Sequence, residues 1–118
     1  MKKLEEGGNG TMVKQLTENM FDAEVAGAAE PVIVDFYADW CGPCKMMGPI
    51  IEDLSNDYGD RMNFYKCNVD ENGELSQKFG IMSIPTVIIF KGGEAAETMV
   101  GAQPKEKLED SIKKALGA

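Results

Sequence analysis

Val32-Ile33-Val34-Asp35-Phe36-Tyr37-Ala38-Asp39-Trp40-Cys41-Gly42-Pro43-Cys44 is the stretch on which the fold turns. Residues 31–37 are apolar but for one acid, the pattern of a strand buried on both faces. From Cys41 to about Tyr58 the pattern becomes that of a helix, with Ile50, Ile51 and Leu54 on its inner side, Pro49 kinking the axis and Gly59 closing it. The two cysteines therefore fall where a strand ends and a helix begins. Free backbone N–H groups and the positive end of the helix dipole stabilise an anion at that point. The thiolate is the nucleophile of disulfide exchange. Cys41, in the first turn, is thus expected to attack. Cys44, one turn further in, is expected to be more buried, less acidic, and to complete the exchange. Gly42 permits tight backbone, and Pro43 suits an early helix position where its missing N–H costs nothing.

Strands and helices alternate on either side of this stretch. Val13 to Leu16 reads as a short edge strand. Thr17 is placed to cap a helix, with Glu18 and Asp22 at its positive end and Met20, Phe21, Ala23 and Val25 as its apolar side chains. Met62 to Val69 reads as a strand and Glu71 to Phe79 as a short helix ended by Gly80. Ile84 to Phe90 is the second strongly apolar strand, and Lys91-Gly92-Gly93-Glu94 forms a hairpin turn into Ala95–Val100. Pro104 opens a last helix on which Leu108, Ile112 and Leu116 make one stripe. The order β-α-β-α-β-α-β-β-α predicts parallel pairing with right-handed crossovers, the final hairpin adding an antiparallel edge. The expected fold is α/β: a central mixed five-stranded sheet flanked by four helices on both faces. It forms one domain, residues 11–118. Residues 1–10, with Gly7-Gly8-Asn9-Gly10 and no hydrophobic periodicity, read as a flexible tail.

Composition narrows the function. The chain has 118 residues, 43% of them hydrophobic and 27% charged, which suits one globular domain. Twelve Lys and Arg against 20 Asp and Glu leave a net charge of −8. That balance disfavours nucleic acid, whose phosphates need cationic partners, and anionic membrane surfaces. No run approaches the ~20 apolar residues of a membrane span. Lys2 and Lys3 are followed by no apolar stretch, which argues against a secretory signal and makes the cytoplasm the expected compartment. Three cysteines are too few and too odd for a disulfide-stapled fold.

Two other readings of the cysteine pair are weaker. Structural zinc wants four Cys or His ligands, and this chain has no His and one further Cys, so no metal is expected. Inert core cysteines do not call for a strand-to-helix junction flanked by Trp40 and Gly42-Pro43. Asp35, six residues before Cys41, is informative because an acid inside an apolar strand is desolvated and its pKa is raised, which suits a general base at neutral pH. Cys67 shares a strand face with Tyr65 and Val69, opposite Lys66, and is expected to be a buried structural thiol.

The segment Val34 to Met46 resembles the thioredoxin family. So do Lys66-Cys67-Asn68-Val69-Asp70, Phe79-Gly80-Ile81-Met82-Ser83-Ile84-Pro85-Thr86, Phe90-Lys91-Gly92-Gly93-Glu94 and Val100-Gly101-Ala102, in family order and with family spacing. The likeness covers about residues 12–118. It implies the thioredoxin fold and a general protein-disulfide reductase, with a thioredoxin reductase and disulfide-containing proteins as partners. It implies no cofactor beyond the redox-active Cys41–Cys44 pair, and a monomer is expected. By resemblance Asp35 is the buried acid that takes the proton of Cys44, and Lys66 is the catalytic lysine near it. The Ile84–Pro85 bond is expected to be cis, bringing the Ile84 backbone alongside the dithiol for a substrate strand to pair with. Trp40, Gly42, Pro43, Ile84, Pro85, Gly101 and Ala102 are the expected substrate-binding residues, most of them on a flat apolar rim around Cys41. The family fold also serves disulfide oxidants and isomerases, and scaffold or processivity subunits. Members of the oxidant kind often carry His between the cysteines, which is absent here. The chain departs from the family pattern in its extra tail, in Tyr37 where many members have Trp, and in Ser83 before Ile84.

Overall fold

Strands β1 (Val13–Gln15), β2 (Val32–Tyr37), β3 (Asn63–Asn68), β4 (Thr86–Lys91) and β5 (Glu94–Val100) form one sheet in the spatial order β1-β3-β2-β4-β5. This is a computed structural model in which residues 12–117 are described. The expected tail at residues 1–10 lies outside the described residues. Helices α1 (Gly42–Tyr58), α2 (Gly73–Lys78) and α3 (Lys105–Ala115) pack on the sheet, together with a short helical segment between β1 and β2. The mixed five-stranded sheet with four helical segments is as expected.

β2 is the central strand. Its residues Val32 to Phe36 are all buried, because α1 and α3 cover one face and the β1–β2 connection with α2 covers the other. Ile33, Phe64, Val87 and Ile89 point to the first face, where they meet Met47, Ile51, Leu54, Leu108 and Ile112. Val34, Phe36, Tyr65, Cys67, Ile88 and Phe90 point to the second, against Leu16, Phe21, Val25 and Leu75. Phe21, Phe79 and Phe90 close that side as a ring cluster with centroids 5.0–5.5 Å apart. α1 runs unbroken through Pro49 to Tyr58. A proline inside a helix costs about 3 kcal/mol. Met47, Ile51 and Leu54, each almost wholly buried, contribute roughly 1.5–3 kcal/mol apiece and outweigh it.

The direction of β4 corrects the expectation of parallel crossovers. β1 and β2 pair with β3 in parallel, but β4 pairs antiparallel with β2, Thr86 opposite Phe36 and Phe90 opposite Val32. The chain passes from Asn68 through α2 to Thr86 without returning along the sheet, so β4 starts at the end of the sheet where β3 stopped. β4 also begins at Thr86 rather than Ile84, since the Ile84–Pro85 peptide is cis and lies before the strand. Gly92 and Gly93, at φ 60° and 84°, make the hairpin to β5 that only left-handed backbone allows.

The segment after Thr17 also differs from a regular capped helix. It is a 3₁₀ turn over Glu18–Met20 followed by a π turn over Asp22–Ala26, and Thr17 makes no side-chain cap bond. Contacts to α2 dictate this. The Glu18 N–H donates to Asn72 Oδ1 at 3.1 Å, and the Glu18 carboxylate accepts the N–H groups of Glu74 and Leu75 at 2.6 and 3.1 Å. Phe21 and Val25 are thereby aimed into the core. α2 itself begins only at Gly73, because Asn68 and Asn72 side chains hold residues 68–72 in a turn.

Candidate active site

Cys41 is the N-cap of α1, and its Sγ accepts the Cys44 N–H at 3.2 Å. The two cysteines are joined as a disulfide with their Cα atoms 5.3 Å apart. One of the otherwise unpaired amides of the helix N-terminus is thus directed at the Cys41 sulfur, where it stabilises negative charge. Cys41 Sγ also lies 3.8 Å from the Ile84 carbonyl oxygen. The expectation that Cys44 is the more buried of the pair is not met: the residues are 4% and 5% exposed. Ala38 and Ile84 pack over both. Hydrogen bonding, rather than depth, distinguishes the two sulfurs.

Asp35 lies beneath them in β2, 4% exposed, and its Oδ1 has no hydrogen-bond partner among the described residues. Burial pushes its pKa up to about 7, with the Lys66 ammonium pulling the other way. Lys66 is the register partner of Asp35 on β3, and the two side chains share the face that carries α1. A cavity of about 180 Å³ joins the acid to the dithiol; Asp35, Lys66, Cys44, Lys45 and Asp39 line it.

Trp40, Gly42, Pro43 and Ala102 are exposed around the disulfide, and Ile84 and Gly101 are partly exposed. Pro85, next to Ile84, is buried. Its carbonyl accepts the Gly101 N–H at 2.8 Å, tying the loop after β5 to the loop before β4. Gly101 has φ 89°, a conformation that glycine adopts without strain. Trp40 donates from Nε1 to Asp70 Oδ2 at 2.8 Å, which fixes the orientation of the indole although the residue is 70% exposed. Nothing local in the sequence singles out Asp70, because its partner is 30 residues away. Met46 and Met82, 70% and 94% exposed, are not among the residues expected from the sequence. Met46 follows Cys44 closely in α1 and Met82 precedes Ile84, so the available signal is a large apolar residue next to a residue singled out by the sequence.

Cys67 faces the other side of the sheet with Tyr65 and Leu75, wholly buried as expected. Burial first, then the Glu18 carboxylate, pushes its thiol up to about 12. Among the described residues no group of three or more His, Cys, Asp and Glu is arranged to hold a metal ion, and no helix is long and apolar enough to cross a membrane.

A disulfide-forming cysteine pair at the start of a helix, seated over a mixed sheet, is the arrangement of a thiol–disulfide oxidoreductase. The family model "Thioredoxin" matches residues 12–114. The chain is 48% identical over 97 residues to a thioredoxin of Alicyclobacillus acidocaldarius, covering 82% of this chain and 91% of that one. It is 44% identical over 104 residues to a thioredoxin of Bacillus subtilis, covering 88% and 98%. A chloroplastic thioredoxin M4 of Arabidopsis thaliana is 43% identical across 88% of this chain and 54% of its own length. The crystal structure of Malassezia sympodialis thioredoxin superposes with a TM-score of 0.82 at 40% identity, covering 90% of this chain and 92% of that one. The chain belongs to the thioredoxin family. It is a thiol–disulfide oxidoreductase whose redox-active group is the Cys41–Cys44 disulfide.

Proposed function

We propose that this protein is a general protein-disulfide reductase. In its reduced form the Cys41 thiolate attacks one sulfur of a substrate disulfide. The substrate S–S bond breaks, one substrate thiolate leaves and takes a proton, and a mixed disulfide links Cys41 to the other sulfur. Asp35 removes the proton of Cys44. The Cys44 thiolate attacks Cys41 Sγ, the Cys41–Cys44 disulfide forms, and the second substrate thiolate is released. Two electrons pass to the substrate, and a thioredoxin reductase returns two to the disulfide. Lys66 moderates the charge on Asp35.

The observation that carries this reading is the shared cavity. A buried carboxyl with an unpartnered oxygen opens onto the same space as Cys44, and its pKa of about 7 allows it to accept a proton at neutral pH. The rim supports breadth of substrate. Trp40, Pro43 and Ala102 are exposed and mostly apolar, and the flexible thioethers of Met46 and Met82 adapt to varied partners. The Ile84 carbonyl lies 3.8 Å from Cys41 Sγ, which supports pairing of this backbone with an extended substrate strand.

Insulin reduction tests the proposal. The parent protein with dithiothreitol, or with a thioredoxin reductase and NADPH, is expected to precipitate the insulin B chain. Cys41→Ser is expected to be inactive, and Cys44→Ser to accumulate a mixed disulfide through Cys41. A Cys41→Ser variant with parental activity would overturn it.

A further inference from the structure

Lys66 is flanked on its strand by Asp35 of β2 on one side and Gln15 of β1 on the other, all three in one row of the sheet. Tyr37, two residues beyond Asp35, projects from the same face. Its Oη accepts the Gln15 Nε2 proton at 2.9 Å. β1 and β2 are separated by β3, a gap of about 10 Å, so this hydrogen bond ties the two strands that flank β3 together across the row that holds Lys66. The Lys66 Nζ sits over the Tyr37 ring, 5.9 Å from its centroid. An ammonium held against an aromatic face is attracted by the ring quadrupole. Lys66 is only half-buried, and a lysine with four side-chain carbons would otherwise swing its charge into solvent.

We propose that Tyr37, tethered by Gln15, is a positioning residue that keeps the Lys66 ammonium beside the Asp35 carboxyl, and so sets how readily that carboxyl exchanges a proton with Cys44. The inference rests on the reading of Asp35 as the base. The other charged or titratable groups facing Asp35 are Cys44 and Lys45 from α1 and Asp39 from the loop after β2. Val87, opposite Asp35 on β4, carries none.

The sign follows from charge. A nearby cation favours the carboxylate, so releasing Lys66 raises the Asp35 midpoint. The Asp35 carboxyl carbon, followed by NMR across pH in the oxidised protein, reads this without reference to activity. Tyr37→Leu is expected to move the midpoint upward by about half a unit, roughly a threefold change in the ionisation constant. Tyr37→Phe, which keeps the ring, is expected to retain most of the parental titration. In a Lys66→Met background Tyr37→Leu is expected to have no further effect. An unmoved midpoint in Tyr37→Leu, or an equal shift with Lys66 absent, overturns the proposal. Should Tyr37→Leu not fold, Gln15→Leu on the exposed edge strand decides: an upward shift supports the tether and no shift removes it. Asp35→Asn in insulin reduction separates the two levels. Parental rates there would sink the role of Asp35, and the titration alone would then decide the positioning.

Discussion

Asp35 and Cys44 line one cavity, the acid from the middle of β2 and the sulfur from the first turn of α1. The pairing places a carboxyl in low dielectric, and that has a cost in stability. Its folded pKa, about 7, stands above the unfolded value of 3.8. The native state then holds more protons than the unfolded one between those values, so stability falls as pH rises from about 3.8 through about 7. The full span is worth about 4 kcal/mol. Asp35→Asn is expected to be more stable than the parent at pH 8, with the gap closing toward pH 4, by urea denaturation of the oxidised protein. A mutant less stable at pH 8 would contradict the desolvation of Asp35.

The three thiols differ enough in environment for chemistry to rank them. Substoichiometric iodoacetamide on the reduced native protein, read by peptide mass, is expected to label Cys41 first. Cys67, wholly buried with its thiol pushed up to about 12, is expected to stay unlabelled until the protein unfolds. Early label on Cys44 or Cys67 would count against the assigned nucleophile.

Trp40 is the only tryptophan, and it adjoins Cys41. Its emission is expected to change when the disulfide is reduced. Asp70→Ala removes the indole's hydrogen-bond partner, and is expected to broaden or shift that emission in both redox states. Spectra insensitive to reduction would mean that the ring is not held next to the sulfurs.

Glu18 caps a helix more than fifty residues away, accepting two N–H groups at the start of α2. Glu18→Ala is expected to cost about 1 kcal/mol, as loss of an N-cap does. Amide hydrogen exchange is expected to accelerate at Glu74 and Leu75 before anywhere else in α2. Unchanged protection at those two amides would show the cap to be unimportant.

Local pattern carried much of the fold into the sequence. The unbroken apolar run of β2, the Gly92-Gly93 turn and the Leu108–Ile112 stripe were each readable because periodicity and turn chemistry act over a few residues. The direction of β4 was not, since it depends on the path that the connection from β3 takes in three dimensions. The irregular turns after Thr17 were hidden for a similar reason: Glu18 and Asn72 meet only in three dimensions. At the site, the cysteines and Asp35 announced themselves by residue type and spacing. The burial of Pro85, the Trp40–Asp70 bond and the Gln15–Tyr37 bond depend on contacts between distant segments.

Val13 stands beside Phe64 near the start of β3, and Leu116 shares a pocket with Tyr58 and Arg61 just ahead of that strand. Both ends of the described chain thus leave from the pole of the molecule opposite the sulfurs. A surface, bead or fused partner attached at either end would hold the protein like a handle, with its working tip pointing outward.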